Sequence, residues 1–180
     1  MWKPRSIMRS VFQDVCHHLD GYSDSDWAGC RRTAKSTNGG AVMRGSHCLK
    51  TWSSTQQNIT LNSGEAELVA VVKMSTELIG ILQLAHEWGL DMEGQVYTDS
   101  LAALGVVKRR GNGKMRHIRV GMLWVQEKSE NGELKFKKVA AAEHPGDMMT
   151  KHVPMKIAEK LQQVIGQSFE DGRSSVSLNI

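Results

Sequence analysis

At 180 residues, with a net charge of +4 and a sequence pI near 9.0, the chain suits a single domain with room for a sizeable core and a modest bias toward polyanionic partners. Its longest apolar runs, Ala66 to Val72 and Leu101 to Val107, fall short of the roughly 18 residues that span a bilayer, and the first residues lack a signal-peptide core. An intracellular protein without a membrane partner is therefore expected, in cytoplasm or nucleus; Cys16, Cys30 and Cys48, odd in number and without CxxC spacing, speak against a disulfide framework and a zinc ribbon.

Residues 1–20 mix Trp2, Pro4 and scattered basic residues without a period, and are read as a linker or the remnant of an upstream segment. Within them Cys16, His17 and His18 do not form a metal site, because adjacent histidines face different ways and no second pair stands at zinc-ligand spacing. From Gly21, GYSDSDWAG reads as a strand. GGAVMRGS and HCLKTWSST read as two more, joined by a tight turn near Arg44 to Ser46, which makes an antiparallel meander.

Asn62 or Ser63 caps a long half-buried helix, with Glu65 and Glu67 in its first turns and Leu68, Val72, Leu78, Leu82 and Ala85 at helical spacing up to Gly89. A short strand, QVYTDS, follows, and Ser100 caps the apolar helix LAALGVV. The glycine-rich loop GNGKM separates it from an amphipathic helix around His117 to Lys128. Asn131-Gly132 marks a turn, ELKFKKVAAA alternates as a strand, HPGD is a turn that starts a helix at Asp147, and Lys156 to Ile165 forms a final amphipathic helix before a frayed end. The order describes an α/β chain with a mixed sheet, divided as residues 1–20, a domain at 21–154, and a C-terminal helix and tail at 155–180.

Four acids stand where strands or helices could present them at one sheet edge: Asp24 inside the first strand, Glu67 early in the long helix, Asp99 at the C-terminal end of its strand, and Asp147 at a late helix start. Ligands of open α/β sheets gather at carboxyl strand ends. Clustered carboxylates repel one another, and hard divalent cations supply the missing charge. Two such ions about 4 Å apart can drive phosphodiester hydrolysis. Taken singly, each acid is more readily read as a cap or an edge polar residue, so from position alone a metal nuclease is one reading among several.

In context these residues resemble the ribonuclease H domain of copia-type retrotransposon polyproteins. The likeness rests on GYSDSDWAG, KSTNG, WSSTQQ, SGEAEL, VYTDS and GDMMTKHVP, six separated motifs in the family's order from Gly21 to Pro154. The resemblance implies a ribonuclease H-like fold with a five-stranded mixed sheet, three antiparallel strands and then two parallel, flanked by helices. It implies a hydrolase that cuts the RNA strand of RNA–DNA hybrids during reverse transcription, with two magnesium or manganese ions as cofactor and a reverse transcriptase domain as a possible partner. Matched by motif, the catalytic and metal-binding carboxylates fall on Asp24, Glu67, Asp99 and Asp147. Asp26 and Glu65 are the near neighbours passed over; Glu67-Leu68-Val69-Ala70 is the run that looks like the wider ribonuclease H helix. The chain departs from the family at Arg116-His117-Ile118-Arg119, where an acid is replaced by Arg119, and before Gly21.

Between Lys108 and Arg119 lie six basic residues and His117 with no acid, so Lys108, Arg109, Arg110, Lys114 and Arg116 are the electrostatic candidates for a phosphate backbone. Asn62, Ser63 and Gln57 are candidates for reading 2′-hydroxyl groups in the minor groove. His144, three residues before Asp147, is an auxiliary candidate for moving protons. An integrase of the same superfamily would place its glutamate after both aspartates, whereas here Glu67 lies between Asp24 and Asp99. The remaining alternative is a catalytically inactive nucleic-acid-binding remnant of an inserted retrotransposon.

Overall fold

The computed structural model describes residues 5–8, 13–111 and 120–170. Its elements are β1 (Arg5–Met8), β2 (His18–Asp26), β3 (Thr37–Arg44), β4 (His47–Thr55), α1 (Ser63–Glu87), β5 (Glu93–Thr98), α2 (Leu101–Val107), α3 (Trp124–Glu130), β6 (Leu134–Lys138), α4 (Asp147–Thr150), α5 (Met155–Val164) and β7 (Gln167–Glu170). A five-stranded sheet runs in the order β4-β3-β2-β5-β6. β2, β3 and β4 pair antiparallel, while β5 pairs parallel to β2 and β6 parallel to β5. This is the expected mixed sheet.

The strand alternation decides what lies on each face. Val42 on β3 is fully buried with Leu19 on β2 and Val96 on β5 against Leu68, Val71, Met74 and Leu78 of α1, and the same core takes in Ala103, Leu104, Val106 and Val107 of α2 and Val125 of α3. On the opposite face Ala41 and Met43 pack with Ile165, Met148 and Met149. By length and composition α1 is apolar enough to cross a bilayer. Here its buried residues face the sheet instead.

Local chemistry explains where α1 begins. Asn62 is its N-cap, accepting the Glu65 N–H at 2.9 Å, while Glu65 Oε2 accepts the N–H of Leu61, the residue before the cap, at 2.8 Å, so the two side chains satisfy one backbone donor on either side of the cap. Ser100 does the same for α2, accepting the Ala103 N–H at 3.1 Å.

The ends of the chain differ from expectation. β2 begins at His18 rather than Gly21, and β1 pairs antiparallel with β7, Arg5 opposite Glu170 and Met8 opposite Gln167. The presumed linker therefore holds a strand that joins the C-terminal segment. Gln13 also docks on the β3–β4 turn, donating to the Arg44 carbonyl at 2.8 Å and accepting the Ser46 N–H at 2.7 Å. These pairings use backbone groups and one amide, which hydrophobic periodicity does not register. The helix expected from His117 starts at Trp124 among the described residues, preceded by a 3-10 turn at Val120–Leu123, and positions 117–119 lie outside them.

Gly39 lets α4 lie on the sheet. A Cβ there would fall 2.7 Å from the Met149 Cβ and 2.8 Å from the Gly146 carbonyl oxygen, closer than atoms pack, so a methyl group would push α4 away. Gly80, within α1, has open space around it. Gly39→Ala should lower the urea midpoint, costing about 1–3 kcal/mol by overpacking. Gly80→Ala should raise it by up to about 1 kcal/mol through helix propensity. Equal signs for the two would contradict this packing.

Candidate metal centre

Three of the four acids meet at one edge of the sheet. β2 and β5 run parallel with Tyr22 level with Tyr97, and the same offset two residues on brings Asp24 level with Asp99. Glu67 arrives from the second turn of α1, which packs across both strands. One carboxylate oxygen from each of Asp24, Glu67 and Asp99 lies within 4.8 Å of the others. The stacked rings of Tyr22 and Tyr97, 5.0 Å between centroids, fix this register just below the acids.

Asp147 stands apart from that trio. It begins α4 and is linked to Asp24 through Lys151, whose Nζ lies 3.6 Å from Asp24 Oδ2 and 3.2 Å from Asp147 Oδ1. The Thr150 hydroxyl also donates to Asp24 Oδ2. Sequence reasoning passed over both residues, although Lys151 is four residues after Asp147, the spacing that brings side chains together on a helix. Asp24 is 2 % exposed, so its orientation is set by these partners.

His144 is fully buried between the two elements that carry Asp24 and Asp147. Its Nε2 lies 2.9 Å from the Ser23 carbonyl oxygen, and its Nδ1 lies 3.1 Å from the Gly146 nitrogen. A carbonyl only accepts and an amide N–H only donates, so Nε2 carries the proton and Nδ1 accepts. The ring thus clasps the residue before Asp24 to the residue before Asp147, with Tyr22 edge-on at 6.1 Å. With both nitrogens committed to the backbone, His144, the auxiliary candidate for moving protons, clasps these two segments together.

The electrostatics follow from crowding. Burial, with Asp24 and Asp99 nearby, pushes the Glu67 carboxyl up to about 9, and its Oε2 is buried without a hydrogen-bond partner. Burial and Asp24 also push Asp147 above the usual carboxylate range, against the pull of Lys151. Burial disfavours the Lys151 charge, yet Asp24 and Asp147 outweigh it and raise its pKa. A partnerless oxygen on an acid that resists ionisation, grouped with two further carboxylates, offers hard oxygen donors to a divalent cation. The three residues fit such an ion.

The nucleic-acid candidates are spread more widely. Asn62 and Ser63 are exposed at the start of α1, with the Asn62 Oδ1 engaged as the cap, and Gln57 is exposed just before them. Gln56 beside it is buried, donating to the Ala66 carbonyl at 2.9 Å and to Asn38 Oδ1 at 2.5 Å, which ties β3 and α1 together beneath the acids. Lys108, Arg109 and Arg110 follow the C-terminus of α2, roughly 10 Å of helix from Ser100. Arg110 pairs with Glu130. Lys114 and Arg116 lie outside the described residues.

A raised carboxyl pKa has a defined effect on stability. Glu67 holds its proton more tightly in the folded chain than at its ordinary 4.5, so between that pH and about 9 stability falls as pH rises. Without added metal, Glu67→Gln should match the wild type near pH 4 and exceed it by about 3 kcal/mol at pH 7. Urea unfolding across this range checks the claim; a difference that does not vary with pH would refute the burial of an ionisable Glu67.

No protein-family model matches the sequence. Over 150 residues, 82% of the chain, it is 31% identical to the retrovirus-related Pol polyprotein from transposon TNT 1-94 of Nicotiana tabacum, and the match spans 11% of that polyprotein. Among solved structures, LC11-RNase H1, isolated from compost by a metagenomic approach, shares the fold with a TM-score of 0.58 at 15% identity, covering 74% of this chain and 93% of that one. LC11-RNase H1 in complex with an RNA/DNA hybrid aligns with a TM-score of 0.50 at 16% identity over 73% of this chain and 93% of that one. The chain is a homologue of one segment of the retrovirus-related Pol polyproteins of plant transposons, and its fold is that of ribonuclease H.

Proposed function

We propose that this chain is a metal-dependent endoribonuclease that cuts the RNA strand of RNA–DNA hybrids, serving a retrotransposon Pol polyprotein whose reverse transcriptase supplies the hybrid. The observation that carries this reading is the meeting of Asp24, Glu67 and Asp99 within 4.8 Å, with the Glu67 carboxyl pushed up to about 9. Asp24, Glu67 and Asp99 would hold magnesium or manganese. When bound, such an ion supplies positive charge at a phosphodiester and eases ionisation of an attacking water.

The chain's own residues prepare the site. Thr150 and Lys151 hold the Asp24 carboxylate from one side, so it keeps its orientation toward Asp99 and Glu67. The 9 % exposure of Asp147 keeps a fourth carboxylate close to Asp24 but shielded from bulk water. Exposed Asn62 and Ser63 sit at the N-terminus of α1, within two turns of Glu67, and exposed Gln57 lies in the segment between β4 and α1; short polar groups there would reach the sugar hydroxyls of an RNA strand. Lys108, Arg109 and Arg110 would meet phosphates farther along the duplex.

The test uses the purified chain, a hybrid labelled on its RNA strand, and magnesium or manganese. Metal-dependent cuts in the RNA strand are expected, with Asp99→Asn slowing them by at least about a hundredfold, a loss of roughly 3 kcal/mol of transition-state stabilisation. Binding of the hybrid without any metal-dependent cleavage would overturn the enzyme reading and favour the inactive remnant.

A further inference from the structure

We propose that the chain pairs with a second copy of itself through the end of the molecule opposite the metal centre, where an apolar patch surrounds the C-terminus of α1. The acids sit at the ends of β2 and β5 and in the first turns of that helix. About 30 Å farther along it, beside the beginnings of β2 and β4, Leu49, Leu84, Trp88 and Leu90 line a groove with buried Leu19 and Ala85 beneath them. Trp88 is 72% exposed and the three leucines 39–49%. The backbone imposes this exposure. The Gly89 N–H donates to the His86 carbonyl and the Leu90 N–H to the Ala85 carbonyl, each at 2.9 Å, and Gly89 is left-handed, so a closed turn ends α1 and holds Trp88 and Leu90 at the surface.

The size of the patch suits a weak dimer. Its four large side chains expose roughly 400 Å2, the scale at which a surface patch serves a partner. A homodimer interface is about 65% apolar, so such a core with its polar rim corresponds to about 600 Å2 on each copy and about 1,200 Å2 in total. That is the lower limit of stable interfaces and fits association in the micromolar range.

Charge on the rim selects the same chain as the occupant. A two-fold interface sets one surface against itself, so it needs opposite charges on opposite sides of its apolar centre. The strand order β3-β2-β5 supplies them. Arg44 closes β3 on one side of Leu19, and exposed Asp91 precedes β5 on the other. Neither joins an ion pair among the described residues, and Arg44 Nε reaches only the Cys16 carbonyl, at 3.5 Å. In the paired molecule each Arg44 meets the Asp91 of the other copy. Both metal centres then face outward, so the pairing goes beyond the nuclease reading and does not depend on it.

Sedimentation equilibrium of the full chain, from about 1 to 500 μM, tests the proposal on wild type, Trp88→Lys, Arg44→Asp, Asp91→Arg and the double variant carrying both charge reversals. Wild type should dimerise reversibly with a Kd of roughly tens of micromolar. Trp88→Lys should stay monomeric, each single reversal should weaken the dimer at least about tenfold, and the double variant should recover to within about threefold of wild type. Recovery in the double variant separates a broken contact from a misfolded chain. A wild type that remains monomeric throughout, a dimer that survives Trp88→Lys, or a double variant as weak as the single ones would overturn the proposal, while the cleavage assay above decides the nuclease reading separately.

Discussion

Parallel pairing of β2 with β5 forces two carboxylates to share one edge of the sheet, and much of the surrounding structure answers that crowding. With Tyr22 held against Tyr97, Asp24 and Asp99 arrive level, and Glu67 descends on them from α1. Like charges at such distances in a partly buried setting interact strongly. The chain relieves them in two ways: the Glu67 carboxyl keeps its proton toward pH 9, and Lys151 brings a positive charge to the far side of Asp24. A centre that stores unfavourable charge in this way is poised to gain from a cation, and metal uptake should release the Glu67 proton.

The lower face of the site depends on packing rather than charge. Gly39 allows α4 to approach the sheet, and His144 ties the turn before Asp147 to the strand beside Asp24. Without that seat Thr150 and Lys151 would not reach Asp24. A buried histidine with both ring nitrogens satisfied by backbone groups holds two segments at a fixed distance, and here the two segments are those that carry catalytic candidates.

Much of this was legible in the residues. The β3–β4 hairpin, the Ser100 cap and the long apolar stripe of α1 each rest on local rules and stand where the pattern placed them, and of the two caps open for α1 the structure takes Asn62. Asp24, Glu67 and Asp99 were identifiable through their motifs, though only the register of β2 and β5 shows that they meet. Asp147 proved less simple, because its neighbour Lys151 is visible as a partner only once α4 is known to lie on Gly39. The N-terminal pairing of β1 with β7 joins segments about 160 residues apart through a backbone ladder, and no periodicity signals such a contact.

The central claim is that Asp24, Glu67 and Asp99 form a divalent-metal centre. A crystal grown with Mn2+ and examined by anomalous scattering tests it most directly. The account predicts a peak in contact with oxygens of those three carboxylates, at the roughly 2.0–2.6 Å typical of hard cations on oxygen. A crystal with saturating Mn2+ and no peak among the three acids would contradict it.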